Sequence, residues 1–342
     1  MKFELSSLDQ FPVVAPDHHD AGGIRFGFEG GTSHKVEGRY YVFTTEVFDE
    51  PKTAASRLAC WVSDDGTAFS RHSTIAETNG DWADATYRMA PWSPMVVFDS
   101  QSDRWNLFHV AYRRKPNSDQ PYNMSGRITR RESTTSGASG IAGPYVELEW
   151  VEFADAPDAW EGPAEIVSFY PFLTNQGWFA FYGSNEEPEF IDPQSQPQHA
   201  LDDPTRFLVG LARADSIAGP WTRQSDTNPV LMDPDFIENP IVTRIRSDLY
   251  AVVYDGGNTN AISYALSVDG ITWEDEKLID LPAPPAWLNA MRTPLGLVHE
   301  DGDEFSIYFT AFDGVNPEGI EPLWHDGYGY IGRCRVRLTA GD

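Results

Sequence analysis

The stretch Glu238-Asn239-Pro240-Ile241-Val242 begins an apolar run that ends at a turn, and a second run rich in aromatic residues follows. The same order of features occurs five times along the chain, each time behind a short opening triplet. The five triplets are Glu29-Gly30-Gly31, Trp92-Ser93-Pro94, Glu161-Gly162-Pro163, Glu238-Asn239-Pro240 and Arg292-Thr293-Pro294. Repetition of one supersecondary unit at long spacing is typical of repeat architectures, among them β-propellers.

The second run of each unit alternates between two kinds of side chain, as a β-strand with two different faces does. Gly, Asn and Asp residues, which favour hairpin backbone angles, precede each of these runs. The second strands are expected at residues 39–44, 105–110, 178–182, 249–254 and 305–310. Each unit is therefore predicted to start with an antiparallel hairpin.

Third strands are expected at residues 58–62, 127–131, 207–211, 261–266 and 330–336. The turn into the fourth strand has two sequence forms, Ser-x-Asp-Gly at 63–66 and 267–270, and Ile-Ala-Gly-Pro at 141–144 and 217–220. Together these patterns predict an all-β, five-bladed propeller with four antiparallel strands per blade and units near 24–76, 84–152, 158–230, 233–280 and 286–340. The segments 113–126 and 184–206 lack a strand pattern and are predicted to be loops.

The last unit ends after its third strand, so its fourth strand has to come from elsewhere in the chain. Residues Lys2–Leu8 have a strand pattern and lie outside the other units. We expect them to complete the fifth blade and close the ring, which makes residues 1–342 a single propeller domain.

The charge balance limits the partners. The 342 residues carry 25 basic and 52 acidic side chains, a formal net charge of −27. Nucleic acids and anionic membranes need a basic surface, so neither is expected as a partner, whereas a neutral carbohydrate fits.

The N-terminus has no signal-peptide pattern, which predicts a cytoplasmic location, although a trimmed secreted form would look the same. Cys60 and Cys334 lie in predicted third strands and are expected to be buried thiols rather than a disulfide.

The first residues of the inner strands meet at one mouth of a propeller. Three of the predicted openings carry a carboxylate, namely Glu29, Glu161 and Glu238, and a fourth carries Arg292. Cleavage of a glycosidic bond requires carboxyl groups held in different protonation states, and like charges in proximity separate their pKa values. Trp92, at the remaining opening, offers a flat face on which a sugar ring can stack.

At these residues the sequence resembles a known family. The phrases MAPWSP (89–94), EGPAEIVSFYPF (161–172) and IENPIV (237–242), with EGGTSHKVEGRYYVFTTE (29–46), are similar to five-bladed glycoside hydrolases of the arabinanase–xylosidase, or family 43, type. The resemblance implies an inverting mechanism with Glu29 as general base, Glu161 as pKa modulator and Glu238 as general acid. The family has aspartates at the first two of these positions, and its Asp-Pro in the first blade is Glu-Gly-Gly here.

Further candidates for the substrate site come from neighbouring positions. Second strands return to the same mouth, which adds Asp255 and Asp313, and His34 follows the first opening closely. Glu165 competes with Glu161, because residues four apart in a strand face the same side. Each has a structural alternative: Arg292 as a counter-ion, Asp255 as a turn residue, and Trp92 as packing between blades.

The His18-His19-Asp20 sequence resembles a metal-binding cluster, but adjacent histidines in an extended strand point in opposite directions, so no metal site is expected there. No cofactor motif is present: the glycines of residues 22–31 lack the strand and helix of a phosphate loop, and no G-x-S-x-G sequence occurs.

The sequence therefore predicts an exo-acting glycosidase that uses carboxylate acid–base catalysis on a neutral glycoside or oligosaccharide. A glycoside phosphorylase on the same scaffold is an alternative, for which only Arg292, Arg113 and His34 offer themselves as phosphate ligands. A propeller that binds sugar without catalysis is a third possibility, and it requires carboxylates more than about 10 Å apart.

Overall fold

The strands of the protein form five separate four-stranded sheets. A computed structural model describes residues 1–22, 24, 26–48, 55–79, 90–114, 121–161, 166–185, 207–233, 236–257, 260–314 and 329–341. Every sheet is antiparallel and, in blades 1 to 4, follows chain order from the inner to the outer strand. The predicted fold class, a five-bladed β-propeller, is confirmed.

The strands are numbered in chain order. They are β1 (Lys2–Leu8); in blade 1, β2 (Gly27–Val36), β3 (Arg39–Val47), β4 (Ser56–Ser63) and β5 (Ser70–Glu77); in blade 2, β6 (Ala90–Asp99), β7 (Arg104–Arg114), β8 (Pro121–Ser133) and β9 (Tyr145–Trp150); in blade 3, β10 (Ser168–Thr174), β11 (Gly177–Asn185), β12 (Phe207–Ala214) and β13 (Thr222–Arg223); in blade 4, β14 (Glu238–Arg246), β15 (Leu249–Asp255), β16 (Ala261–Ser267) and β17 (Lys277–Asp280); and in blade 5, β18 (Ala290–Asp301), β19 (Glu304–Phe312) and β20 (Gly329–Thr339). Short 3-10 helices span Ala138–Ala142 and Ala159–Glu161.

The inner strands pack around a common axis. Strand β2 contacts β6 and β18, β10 contacts β6 and β14, and β14 contacts β18, so the ring is continuous. Aromatic side chains fill the space between blades: Trp273 packs on Phe172 and Phe181, and Tyr308 packs on Tyr40. The aromatic content of the sequence is therefore used at the faces between adjacent sheets.

The N-terminal strand closes the ring, as predicted. Strand β1 pairs antiparallel with β20, from Lys2 opposite Thr339 to Leu8 opposite Cys334, and is the outermost strand of blade 5. Phe3 also links this blade to blade 4, because its backbone N–H donates to the Tyr264 hydroxyl at 3.0 Å.

Cys60 and Cys334 are buried free thiols in the third strands of blades 1 and 5. Within the described residues, no helix has the length and apolar character required to cross a bilayer.

Two sequence-based boundaries were wrong. Strand β7 continues to Arg114 and β8 begins at Pro121, so strands extend into the segment 113–126 that was predicted to be a loop. The opening of unit three was also misplaced: its inner strand begins at Ser168, and Phe169-Tyr170-Pro171 takes the place assigned to Glu161-Gly162-Pro163. Glu161 lies upstream in the 3-10 helix. Of the segment 184–206, the part beyond Asn185 lies outside the described residues.

Loss of the Phe3 ring is expected to destabilise the closed propeller. Phe3 is buried and packs edge-on against Tyr264 and Phe305, with ring centroids 5.2 and 5.7 Å away. Phe3→Ala should lower the free energy of unfolding by about 3 to 5 kcal/mol, as removal of a buried phenylalanine usually does. Urea unfolding measures the change. Glu4→Ala, at an exposed neighbour in the same strand, is the control, and equal stability of the two variants would contradict closure by β1.

Candidate active site

A repeated backbone feature turns three inner-strand residues towards the mouth of the ring. The second residue of the triplet is left-handed in blades 1, 2 and 4, with φ of 63° at Gly30, 48° at Ser93 and 54° at Asn239. The strand pairing is irregular at the same three places. Such β-bulges change the direction of side chains and are common beside active sites. The residues that precede them are Glu29, Trp92 and Glu238.

The first blade needs glycine at this bulge. A Cβ atom on Gly30 would lie 2.5 Å from Ser93 Oγ, in addition to the left-handed backbone. Blades 1 and 2 approach each other closely at this point, so the first-blade triplet requires glycine at its second position.

Three carboxylates converge on one guanidinium group. Arg292 Nη1 lies 2.6 Å from Glu238 Oε2 and also forms an ion pair with Asp255, while Arg292 Nε lies 3.7 Å from Glu29 Oε1. Asp255 is the cross-strand partner of Glu238 in blade 4. We call Glu29, Glu238, Asp255 and Arg292 the Arg292 cluster.

The cluster sets an upper limit on the separation of its two glutamates. The contacts of Glu29 Oε1 and Glu238 Oε2 both end on the planar guanidinium group of Arg292. Adding the two contact distances to the width of that group gives a separation of at most about 9 Å between the two oxygens. Inverting glycosidases hold their carboxyl groups roughly 6.5 to 9.5 Å apart, and retaining ones roughly 5 Å. The separation is therefore within the range of acid–base catalysis.

The buried carboxyl groups of the cluster are weaker acids than usual. Burial raises the pKa of Glu29 to about 7, and the negative charge of Glu238 adds to the effect, whereas Arg292 and a hydrogen bond from Trp92 oppose it. Burial and Glu238 likewise raise the pKa of Asp255 to about 6, against the opposing charge of Arg292. Near neutral pH, a substantial fraction of Glu29 carries a proton in the unliganded protein.

Glu161 lies in a different ion-pair network. Arg223 donates to both of its carboxylate oxygens, from Nε at 2.6 Å and from Nη2 at 2.9 Å, and the Tyr182 hydroxyl donates at 3.1 Å. Arg223 also pairs with Asp155. These contacts hold Glu161 against the outer strand of blade 3, instead of in the Arg292 cluster, which its predicted place at the third opening required.

The remaining predicted residues are distributed over several places. Trp92 joins the Arg292 cluster through its bond to Glu29. Asp313 accepts a hydrogen bond from the Tyr330 hydroxyl at 3.2 Å. Glu165 and the side chain of Arg113 lie outside the described residues.

His34 packs on Trp105 and lines a cavity of about 240 Å³ further along the inner strands. Burial lowers the pKa of His34 to about 4.

The two adjacent histidines adopt a different geometry from the one expected. They lie in a turn, and their rings stack with centroids 4.5 Å apart instead of pointing in opposite directions. Potential ligand atoms of His18, His19 and Asp20 consequently lie within 4.8 Å of one another. His18 Nδ1, however, accepts a hydrogen bond from the Asp20 amide, and His19 is exposed.

Tyr170 is a residue of this region that the sequence analysis missed. It occupies the second triplet position of blade 3, where the misplaced opening hid it. The signal was available, since Pro171 matches Pro94, Pro240 and Pro294 and lies close to the second strand of its unit, as they do.

Comparison with known proteins supports the fold. No family model matches the chain, and no curated protein matches it by sequence. Among solved structures, a family 117 glycoside hydrolase from the marine bacterium Zobellia galactanivorans is 14% identical, with a TM-score of 0.63 over 100% of this chain and 92% of the other. A family 43 β-xylosidase/α-arabinofuranosidase from a compost metagenome, in complex with xylotriose, is 13% identical, with a TM-score of 0.58 over 99% and 96%. A structure from the GH130 family, described as mannoside phosphorylases that include hydrolases of β-1,2-mannosidic linkages in Candida mannan, is 13% identical, with a TM-score of 0.60 over 97% and 93%.

The raised pKa of Glu29 predicts a specific dependence of stability on pH. A carboxyl group with a higher pKa in the folded than in the unfolded chain contributes stability below its unfolded value of 4.5, and this contribution is lost as the pH rises through about 7. Between about pH 5 and about pH 8, the wild-type protein should therefore lose about 3 kcal/mol more stability than Glu29→Gln. Urea unfolding at several pH values measures the difference.

Glu4→Gln controls for the loss of one exposed negative charge. Parallel pH profiles for wild type and Glu29→Gln would show that Glu29 is already ionised throughout this range, which contradicts the prediction.

Proposed function

We propose that this protein is a glycoside hydrolase that acts on a neutral glycoside or oligosaccharide, with Glu29 and Glu238 as its acid–base pair. The observation that carries the proposal is the Arg292 cluster, in which two carboxyl groups from different blades share one guanidinium in unlike environments. The glycoside hydrolases among its structural neighbours are consistent with the proposal.

The positions of the two glutamates relative to Arg292, together with the raised pKa of Glu29, suggest a role for each. Glu238 lies 2.6 Å from Arg292 Nη1. Glu29 is farther from the guanidinium, buried, and has a pKa of about 7. We therefore assign Glu29 as the proton donor to the leaving oxygen and Glu238 as the base or nucleophile, which reverses the roles that the family resemblance implies.

Asp255 and Trp92 support this pair. Asp255 shares Arg292 Nη1 with Glu238 and is fixed by the Gly257 backbone N–H at 3.1 Å. Asp255 thus takes the place of the third carboxylate that had been assigned to Glu161. Trp92 donates to Glu29, and we assign its indole face to stack on a sugar ring bound at this mouth.

The charge of the cluster favours neutral substrates and hydrolysis. Three carboxyl groups surround one arginine, so an anionic sugar or a phosphate would meet like charge. Arg292 is engaged by all three acids and is therefore a poor phosphate ligand, which makes a phosphorylase the less favoured reading. The separation limit of about 9 Å admits both inverting and retaining geometries, and we retain inversion, which the family resemblance implies, and exo action as parts of the proposal.

Kinetics of three glutamine variants test the assignment. With aryl xylosides, aryl arabinofuranosides and β-1,2-linked manno-oligosaccharides as the panel, Glu238→Gln should lower kcat at least 1000-fold on every substrate that the wild type cleaves, by order-of-magnitude reasoning. Glu29→Gln should lose a similar factor on a poor leaving group but far less on a dinitrophenyl glycoside, which needs no proton. Glu161→Gln is the control, since it removes a carboxylate that is also arginine-paired, and more deeply buried, outside the cluster.

Glu161→Gln should reduce thermal stability while the folded enzyme keeps kcat within about threefold of wild type. Full activity of Glu238→Gln, or inactivation by Glu161→Gln without loss of folding, would overturn the proposal. Dependence of product formation on inorganic phosphate would favour the phosphorylase instead.

A further inference from the structure

A chain of polar contacts crosses the axis directly beside the Arg292 cluster. The Tyr170 hydroxyl of blade 3 donates to Asn239 Oδ1 of blade 4, and Asn239 Nδ2 donates to Thr293 Oγ1 of blade 5 at 3.3 Å. Tyr170 is also hydrogen-bonded to the Ser93 side chain of blade 2. Gly30 of blade 1 lies against that same serine. We call these five residues the axial belt; each is the second residue of its inner-strand triplet.

The belt is attached to the cluster through the backbone. Asn239 directly follows Glu238, and Thr293 directly follows Arg292, so the Asn239–Thr293 hydrogen bond joins the residues next to both members of the 2.6 Å ion pair. Asn239 is buried, and its left-handed backbone, with φ of 54°, aims Glu238 out of the regular strand alternation. A side chain tethered at both ends of its amide holds that backbone in one orientation.

Tyr170 supplies the donor that completes this arrangement. Its side chain is buried and close enough to the cluster for the charges of Glu238 and Glu29 to affect it. Burial raises the pKa of its hydroxyl well above the ordinary value, so the group stays protonated and remains a donor at any working pH.

We infer that Tyr170 is a positioning residue for the reaction, which acts through Asn239 to hold Glu238 at its working distance from Arg292 and Glu29. This inference rests on the proposed function. Catalytic groups displaced by about 1 Å can lose about 100-fold in rate, so a hydroxyl that never touches the substrate can still control turnover.

The chain offers a matched pair of tyrosines for the test. Tyr182 is also buried in blade 3 and donates to a carboxylate, that of Glu161, at 3.1 Å, outside the Arg292 cluster. Tyr170→Phe should lower kcat at least tenfold, leave KM within about twofold and move the pH optimum of kcat, since Glu238 shifts relative to its neighbours. Tyr182→Phe should lower thermal stability and leave kcat and the pH profile within twofold of wild type. Equal kcat and equal pH profiles for the two variants would overturn the inference.

Asn239→Gly provides a second test, because it keeps the left-handed backbone and removes only the amide. Its loss of kcat should match that of Tyr170→Phe, and the double variant should lose no more than Asn239→Gly alone, because both changes break one connection. Additive losses would show that the two residues act separately and would overturn the inference.

Crystal structures of wild type and Tyr170→Phe give a readout that does not need turnover. A displaced Glu238 carboxylate relative to Arg292 is expected, and an unchanged arrangement contradicts the positioning role. Failure of the proposed function looks different: Glu238→Gln would then remain as active as wild type, whereas failure of this inference leaves Glu238→Gln inactive and Tyr170→Phe fully active.

Discussion

The ion pairs of Arg292 are the interaction on which the site depends. One guanidinium from blade 5 contacts carboxyl groups from blades 1 and 4, so residues far apart in sequence are held at one mouth of the ring. Without that positive charge, the carboxylates of Glu29, Glu238 and Asp255 would repel one another, and the pKa values of Glu29 and Asp255 would rise further. The charge of Glu238 in turn raises the pKa of Arg292 well above the ordinary value, so the arginine stays charged.

The backbone supplies what the charges alone cannot, which is direction. A regular inner strand would alternate its side chains between the two faces of the blade. The left-handed residues Gly30, Ser93 and Asn239 interrupt this alternation at the same point in three blades. Glycine and asparagine tolerate this conformation comparatively well, and serine less so. At Ser93 the backbone N–H donates a hydrogen bond to the Thr45 hydroxyl at 2.9 Å, which helps to offset the strain of the left-handed conformation.

The sequence predicted most of the architecture and part of the site. Period-two alternation and glycine-containing turns specify antiparallel hairpins locally, so the blades and the closing role of residues 2–8 could be predicted. Glu29, Glu238, Arg292 and Trp92 were singled out because the repeat gives them equivalent positions, and Asp255 because second strands return to the same mouth. The opening of unit three was misplaced because Glu161-Gly162-Pro163 resembles the other openings more closely than Phe169-Tyr170-Pro171, in which only the proline matches; the pairing of β10 with β11 identifies the second as the true one. The Tyr170–Asn239 contact joins two blades, and single-chain periodicity carries no information on such pairs. The cytoplasmic location stays a prediction.

Charge balance distinguishes the axial carboxyl groups from two other buried glutamates in the described part of the fold, Glu46 and Glu161. Glu46 is fully buried but receives two arginines, Arg57 and Arg71, as well as the Trp61 N–H. Glu161 has both oxygens bonded by Arg223. Both oxygens of each of these carboxylates accept charge-assisted hydrogen bonds from arginine. The Arg292 cluster instead has three acids for one arginine, and the pKa values of Glu29 and Asp255 are raised to about 7 and about 6. Among the described buried glutamates, Glu46 and Glu161 are thus neutralised by arginines, whereas the Arg292 cluster is short of positive charge. Burial combined with a shortage of positive charge raises carboxyl pKa values towards neutral pH, which is the condition that acid–base chemistry requires.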